Sequence, residues 1–284
     1  MILVTGATGT VGSELVRLLV EAGQRPRVLS RDAGKARRLG SGVDVAVGDL
    51  DRPETIRPAL EGVNRMFLLT SRTQQDVAVL TSARDAGVEA LVKLSTQEAG
   101  WSPVEGHGHL HHEREELIRA SGLGWTFLRP TMFMATPLRW APTLEAQGVV
   151  AFPGGASRLA PIDARDVSAV ACRALTEPAH EGKGYELTGP ELLSVEEMVG
   201  IRSRVLARGL TYHDLAEEAW GDHLRSVGIS DYEIDRLVET FRLVRQGRFA
   251  YVTDDVARVL GRPARTFADW CADHQRAFGV EAPR

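Results

Sequence analysis

The chain has 284 residues, 43% of them hydrophobic, and 34 Lys and Arg against 38 Asp and Glu leave a net charge of −4. That length suits one large domain or one domain with an appended lobe, and the absence of a basic block or acidic tail argues against a nucleic-acid groove. Cys172 and Cys271 lie far apart without metal-ligand spacing, and no apolar run reaches membrane-spanning length, so a soluble protein of the reducing cytoplasm is expected.

Ile2-Leu3-Val4 is a short apolar run with β-branched residues, which predicts a buried parallel strand with no signal peptide before it. Thr5-Gly6 breaks the run. Gly6, Gly9 and Gly12 follow at three-residue spacing, and Val11, Leu15, Leu18, Leu19 and Val20 then repeat at helical spacing up to Ala22-Gly23. A strand, a glycine turn and a helix together make a dinucleotide-binding opening. Phosphate must approach bare backbone, and the helix offers free N–H groups and the positive end of its dipole. A side chain at Gly6 or Gly9 would block that approach, and one at Gly12 would push the helix off the strand. Thr8, Thr10 and Val11 complete the expected phosphate loop.

Residues 27–30 form a second strand, and Ser30-Arg31-Asp32 at its end is where the adenosine ribose should sit. An acid there grips the 2′-hydroxyl of NAD, whereas an Arg meets the 2′-phosphate of NADP. Arg31 comes first, with Lys35 one turn on. Asp32 is the competing signal, or else the N-cap of the next helix. The balance favours NADP(H) over NAD(H). A third strand, 43–47, closes with Gly48-Asp49-Leu50, where Asp49 reads either as an acceptor for the adenine amino group or as a cap. Residues 65–69 are a fourth strand followed by Thr70-Ser71, 73–86 a helix, and 90–94 a fifth strand running into Ser95-Thr96. Alternating β and α segments with short connections predict an α/β fold with a doubly wound parallel sheet. Ligands of such sheets bind beyond the carboxyl ends of the strands. Thr70, Ser71, Ser95 and Thr96 therefore line the cleft, or serve only as turn hydroxyls.

His107, His109, His111 and His112 are half of the chain's eight histidines. Apolar Leu117, Ile118 and Ala120 and the stop at Ser121-Gly122 place them on a helix, where His107, His111 and Glu115 are successive i,i+4 neighbours on one face. That spacing would suit zinc, but the His-Glu-x-x-His form is lacking and no metal is expected. Residues 125–128 are a strand. Short strands at 149–152 and 158–162, a helix at 163–175 and a strand at 184–188 follow. Ser194-Val195-Glu196-Glu197 matches a capping box. Beyond it the chain is mostly helical, with Thr211-Tyr212-His213 as an extension into a small lobe and helices at 251–259 and 268–278.

These residues resemble the atypical short-chain dehydrogenase/reductases, and within them the NmrA-like group, over nearly the whole chain. The matching stretches are VTGATGTVG at 4–12, SRD at 30–32, VKLST at 92–96, HLHHEREELIRASGLGWTFLRPTMFM at 109–134, APIDARDVSAV at 160–170 and GRPARTFADW at 261–270. The resemblance implies a Rossmann-type NAD(P)-binding domain over 1–130 and 149–189 and a smaller, mostly helical C-terminal substrate lobe over 131–148 and 190–284. It implies an adenosine site at Ser30 and Arg31, with Asp49 and Leu50 near it. A nicotinamide site is implied near Leu69, Thr70, Lys93, Pro130 and Thr131.

The family's catalytic pair is Tyr-x-x-x-Lys, and here His107 and His111 stand at the Tyr and Lys positions, so the Tyr acid does not carry over. His107, His111 and Lys93 become the candidate catalytic groups, the histidines for proton transfer and Lys93 as a cation for the nicotinamide or an oxyanion. The alternatives are that His111 only hydrogen-bonds the cofactor ribose and that His107 is a solvated loop residue. Met132, Phe133 and Met134 read as neighbours of an apolar substrate or as lobe core, and Trp140 and Trp220 carry the same two readings. The expected function is an NADP-dependent oxidoreductase transferring hydride to a small apolar or aromatic carbonyl, quinone or enone. The alternatives are a non-catalytic NAD(P) redox sensor that binds a protein and a redox-neutral cyclase or isomerase. The expected partner is a small molecule, with neither nucleic acid nor membrane involved, and an oligomer is compatible with the chain.

Overall fold

Ile2, Leu3 and Val4 form strand β1, and all three are buried, as an apolar run between two parallel neighbours requires. The structure, a computed structural model, describes residues 1–136 and 148–275. Around β1 lie β2 (Arg27–Ser30), β3 (Asp44–Val47), β4 (Arg65–Leu68), β5 (Ala90–Leu94), β6 (Gly124–Pro130) and β9 (Lys183–Leu187). Their order is β3-β2-β1-β4-β5-β6-β9. β1 pairs in parallel with both β2 and β4, so the strand order reverses direction beside β1. In such sheets the crevice at that reversal, beyond the strands' carboxyl ends, is where a ligand binds.

The helices of this part are α1 (Thr10–Glu21), α2 (Ala33–Arg37), α3 (Ile56–Ala59), α4 (Thr73–Asp85), α5 (Gly108–Ala120) and α6 (Ala164–Thr176). One apolar cluster holds Leu3, Met66, Leu68, Leu91 and Phe127 of the sheet against Ile56, Val79, Leu80 and Ile118 of the helices. α6 is pinned to α1 by the buried Ser168 hydroxyl, which donates to the Val11 carbonyl at 2.9 Å.

The chain divides into two compact units. The first comprises Met1–Pro130, Ala164–Glu186 and Arg258–Gly261, and the second Thr131–Asp163, Leu187–Ala257 and Arg262–Arg284. The segment 149–163, placed with the nucleotide domain by the sequence, belongs to the second unit for a hydrogen-bonding reason. Its strands β7 (Val149–Phe152) and β8 (Arg158–Leu159) pair with β11 (Thr211–Asp214) and β10 (Leu193–Ser194). Residues 211–214 are thus a strand, tied further by the Tyr212 hydroxyl donating to the Phe152 carbonyl at 2.9 Å.

Helices α7 (Val195–Val205), α8 (Glu217–Ser226), α9 (Asp231–Arg245), α10 (Asp255–Leu260) and α11 (Phe267–Asp273) complete the described chain. The Ser194–Glu197 capping box is formed, and Ser230–Glu233 and Thr266–Asp269 repeat it. Trp220 is core. It is buried edge-to-face against Phe152 and Phe241, with ring centroids 5.8 and 4.9 Å away. Trp140 lies outside the described residues. Among those residues no helix is long and apolar enough to cross a membrane.

Candidate functional site

The three glycines do different things. Gly6 sits at φ +63°, where L side chains are strained, and an added Cβ would lie 2.6 Å from Leu69 Cδ2. The obstacle there is Leu69, rather than an arriving phosphate. A Cβ at Gly12 would overlap the Gly6 carbonyl oxygen, so this glycine closes the turn on its own backbone rather than only seating the helix on the strand. Gly9 is the open one: a Cβ would meet only the Gly6 oxygen, at 3.3 Å. Gly9 is also the N-cap of α1 and brings no side chain to the first-turn amides. Thr8, Gly9 and Thr10 are exposed, while the Val11 side chain is buried and leaves only its backbone N–H for a ligand. The Gly9 N–H closes the turn on the Gly6 carbonyl at 3.0 Å, and an anion suits the first-turn amides of α1, because no side chain caps them and none fills the space at Gly9. Thr5 went unread in the sequence. Its hydroxyl accepts from the Leu69 N–H at 2.7 Å and so fastens the carboxyl end of β1 to that of β4.

Beyond β2, the Asp32 carboxylate accepts from the Gly34 and Lys35 amides at 2.8 and 3.0 Å and caps α2. Those hydrogen bonds, Lys35's foremost, hold it below the usual carboxylate range. The Ser30 hydroxyl is bonded to the Asp32 backbone. Arg31 and Lys35 remain exposed. Asp49 takes the capping reading: its carboxylate accepts from the Asp51 N–H at 3.1 Å. Leu50 packs against the core. Gln75 joins two loops, donating to Asp51 at 2.7 Å and accepting from the Ser71 N–H at 2.8 Å.

Lys93 is the least expected side chain. It lies in a strand that is buried throughout, and its ammonium is fully buried as well. It donates to the Thr70 hydroxyl at 2.6 Å and pairs with Asp76 at 3.4 Å. The Thr70 hydroxyl in turn donates a hydrogen bond to Asp76 at 2.7 Å, Arg114 meets the other Asp76 oxygen at 3.3 Å, and Arg114 donates to the Ser71 carbonyl at 2.6 Å. Burial pushes the Lys93 ammonium down to about 8, opposed mainly by Asp76. Lys93 is therefore enclosed beneath the Thr70–Ser71 turn by Thr70, Asp76 and Arg114. Asp76 and Arg114 were missed. The signal was available, because a lysine inside an apolar strand needs a buried acid.

Ser95 donates at 2.6 Å to Glu115, whose buried carboxylate also holds Arg129 at 3.0 Å and Arg119 at 3.1 Å. Glu115 is thus spent on arginines, and the zinc trio does not assemble. His107 and His111 do come together. Their Nε2 atoms are 3.2 Å apart, with ring centroids at 4.9 Å. A hydrogen bond between two Nε2 atoms requires one to donate and the other to accept, so the contact holds one proton. His112 bonds the Ala99 carbonyl instead, and His109 is exposed. Glu98, unread in the sequence, is a buried carboxyl raised by its burial and bonded to Thr96.

In the second unit, Thr131 donates its N–H to the Leu187 carbonyl at 3.0 Å. Its hydroxyl is buried without a hydrogen-bond partner among the described residues. Pro130, the last residue of β6, is buried. Met132 and Phe133 are half-buried beside Ile162. Met134 is buried in the lining of an apolar crevice with Val150, Met198 and Trp270.

A family model described as NAD(P)H-binding matches residues 6–178. The chain is 40% identical to an NAD(P)H azoreductase of Xenophilus azovorans, over 99% of this chain and 100% of that protein. It is 38% identical, with the same coverage, to a (4-alkanoyl-5-oxo-2,5-dihydrofuran-3-yl)methyl phosphate reductase of Streptomyces griseus. Among solved structures it resembles the NADPH-dependent quinone oxidoreductase QOR2 of Escherichia coli in complex with NADPH. The TM-score is 0.86 and the identity 28%, over 96% of this chain and 99% of that one.

Proposed function

We propose that this chain, which belongs to the NAD(P)H-binding family, is an NADP-dependent oxidoreductase that transfers hydride to a small apolar or aromatic carbonyl, quinone or enone. The fate of the two charges after β2 carries the cofactor choice. Asp32 is engaged by the amides of α2, so it is a poor partner for a 2′-hydroxyl, whereas Arg31 and Lys35 are exposed and complement a 2′-phosphate. When bound, the nicotinamide supplies the hydride. The residues of this chain supply the rest. The amides at the start of α1 receive the pyrophosphate.

The reduction of a conjugated acceptor needs one proton besides the hydride. The His107–His111 pair holds one and stands where the resembled family keeps its Tyr and Lys. Lys93 adds positive charge below Thr70, which favours an oxyanion. The acceptor class follows the relatives, named as reductases of a quinone, of azo compounds and of an oxo-dihydrofuran. Reduction of a cyclic enone by NADPH deuterated at both C4 positions tests the reading. Deuterium at the β-carbon of the product supports hydride transfer, and an unlabelled or unreduced enone across a panel of acceptors favours the sensor alternative.

A further inference from the structure

Arg129, near the end of β6, occupies a slot that two glycines leave open. A Cβ added at Gly100 would lie 2.6 Å from its Nη1, and one at Gly184 in β9 would lie 3.0 Å from the same atom. Neither glycine has a positive φ, so what the missing side chains supply is room for the guanidinium. From this slot Arg129 reaches α5 by two routes. Its Nε donates to one oxygen of the buried Glu115 carboxylate at 3.0 Å, and its Nη2 donates to the other. The turn Gln97–Gly100, which supplies one wall of the slot, is also locked to the start of α5. A Cβ at Gly108 would lie 2.6 Å from the Glu98 backbone, and His112 bonds the Ala99 carbonyl at 3.1 Å. Arg119 is shared between Glu115 and Glu116, and Arg129 faces Glu186 besides Glu115, so the charges here are paired off and what the network fixes is geometry.

Glu115 stands one helical turn after His111 and two after His107, on the same face of α5. Its carboxylate is tied to the end of β5 by the Ser95 hydroxyl and to β6 by Arg129, so it sets which way that face turns relative to the strand ends. We propose that Arg129 is a positioning residue: through Glu115 and the 97–100 turn it holds the His107–His111 pair in place beside the carboxyl ends of β5 and β6. Gly100 and Gly184 belong to the same device, because a side chain at either would dislodge the guanidinium. A helix that rotates by about 10° carries an atom about 6 Å from its axis through about 1 Å. A misplacement of that size costs up to about a hundredfold in rate. The inference rests on the proton-transfer reading of the pair given above.

The test combines Arg129→Lys, which keeps the charge and loses the paired hydrogen bonds, with His107→Ala. It follows menadione reduction by NADPH beside the imidazole signals in heteronuclear NMR spectra. In Arg129→Lys we expect kcat to fall roughly ten- to a hundredfold with NADPH affinity kept. The His107 and His111 signals should move, while that of His274, bonded to the Trp270 carbonyl in the second unit, stays. In the His107→Ala background Arg129→Lys should cost less than about twofold, because the group that it positions is gone. Gly100→Ala removes no hydrogen-bonding group and gives the same reading should Arg129→Lys fail to fold: it should lower kcat, and cost little once His107 is Ala. Equal losses in both histidine backgrounds, or histidine signals that stay put in both variants, would show that Arg129 serves stability alone and would overturn the proposal. Full kcat in His107→Ala, or no turnover of menadione, an azo dye and a cyclic enone alike by the intact chain, would overturn the proton-transfer reading and this proposal with it.

Discussion

Replacing Lys93 by Met tests the buried cluster through stability. In the unfolded chain the ammonium keeps its proton up to about 10.5, and in the folded chain only up to about 8. Below pH 8 both states are protonated, and the whole cost of burying the charge stands. Between pH 8 and 10.5 the unfolded state binds a proton that the folded state does not, so stability from this group rises with pH. The difference of about 2.5 units corresponds to about 3 kcal/mol, of which roughly 2 kcal/mol is regained by pH 10. Met has a similar length and no charge, so it fills the space without the titration. Urea unfolding of both proteins from pH 7 to pH 10 isolates the effect, since other titrating groups are common to both. The unaltered chain should gain about 2 kcal/mol on the variant across that range. Parallel curves would refute the displaced proton and mean that Asp76 offsets the cost of burying the Lys93 ammonium in full.

Three further outcomes follow from the site. Arg31→Ala should weaken NADPH roughly ten- to a hundredfold and leave NADH nearly unchanged in calorimetric titration, as loss of a charge-assisted pair to the 2′-phosphate requires. Gly9→Val should fold with an unchanged circular dichroism spectrum yet lose dinucleotide binding, because its φ of −86° suits any residue and the space in front of it is open; retained binding would mean that the phosphates lie elsewhere. His107→Ala should lower kcat on the order of a hundredfold with cofactor affinity kept, whereas His111→Ala should impair both, as measured by steady-state kinetics beside direct binding.

What could be read from the sequence was local. The apolar run before Gly6 and the helical repeat after Gly12 each declare themselves within a few residues, and β1 and α1 follow. Asp32 was ambiguous because an acid after a strand can cap or bind, and only the Gly34 and Lys35 amides decide between them. Pairings between distant segments were hidden. Thr211–Asp214 has no apolar alternation and is largely exposed, so only its pairing with β7 makes it a strand and draws 149–163 into the second unit. The partners of Lys93 come from two helices on either side of it in sequence, and no spacing rule links them.

The most direct measurement of the central claim is anaerobic mixing of the chain with NADPH and a panel of quinones, azo compounds and enones, followed at the absorbance band of reduced nicotinamide. The account predicts loss of that absorbance with at least one acceptor class, at a rate at least tenfold higher with NADPH than with NADH. Tight NADPH binding with no loss of absorbance across the whole panel would contradict it.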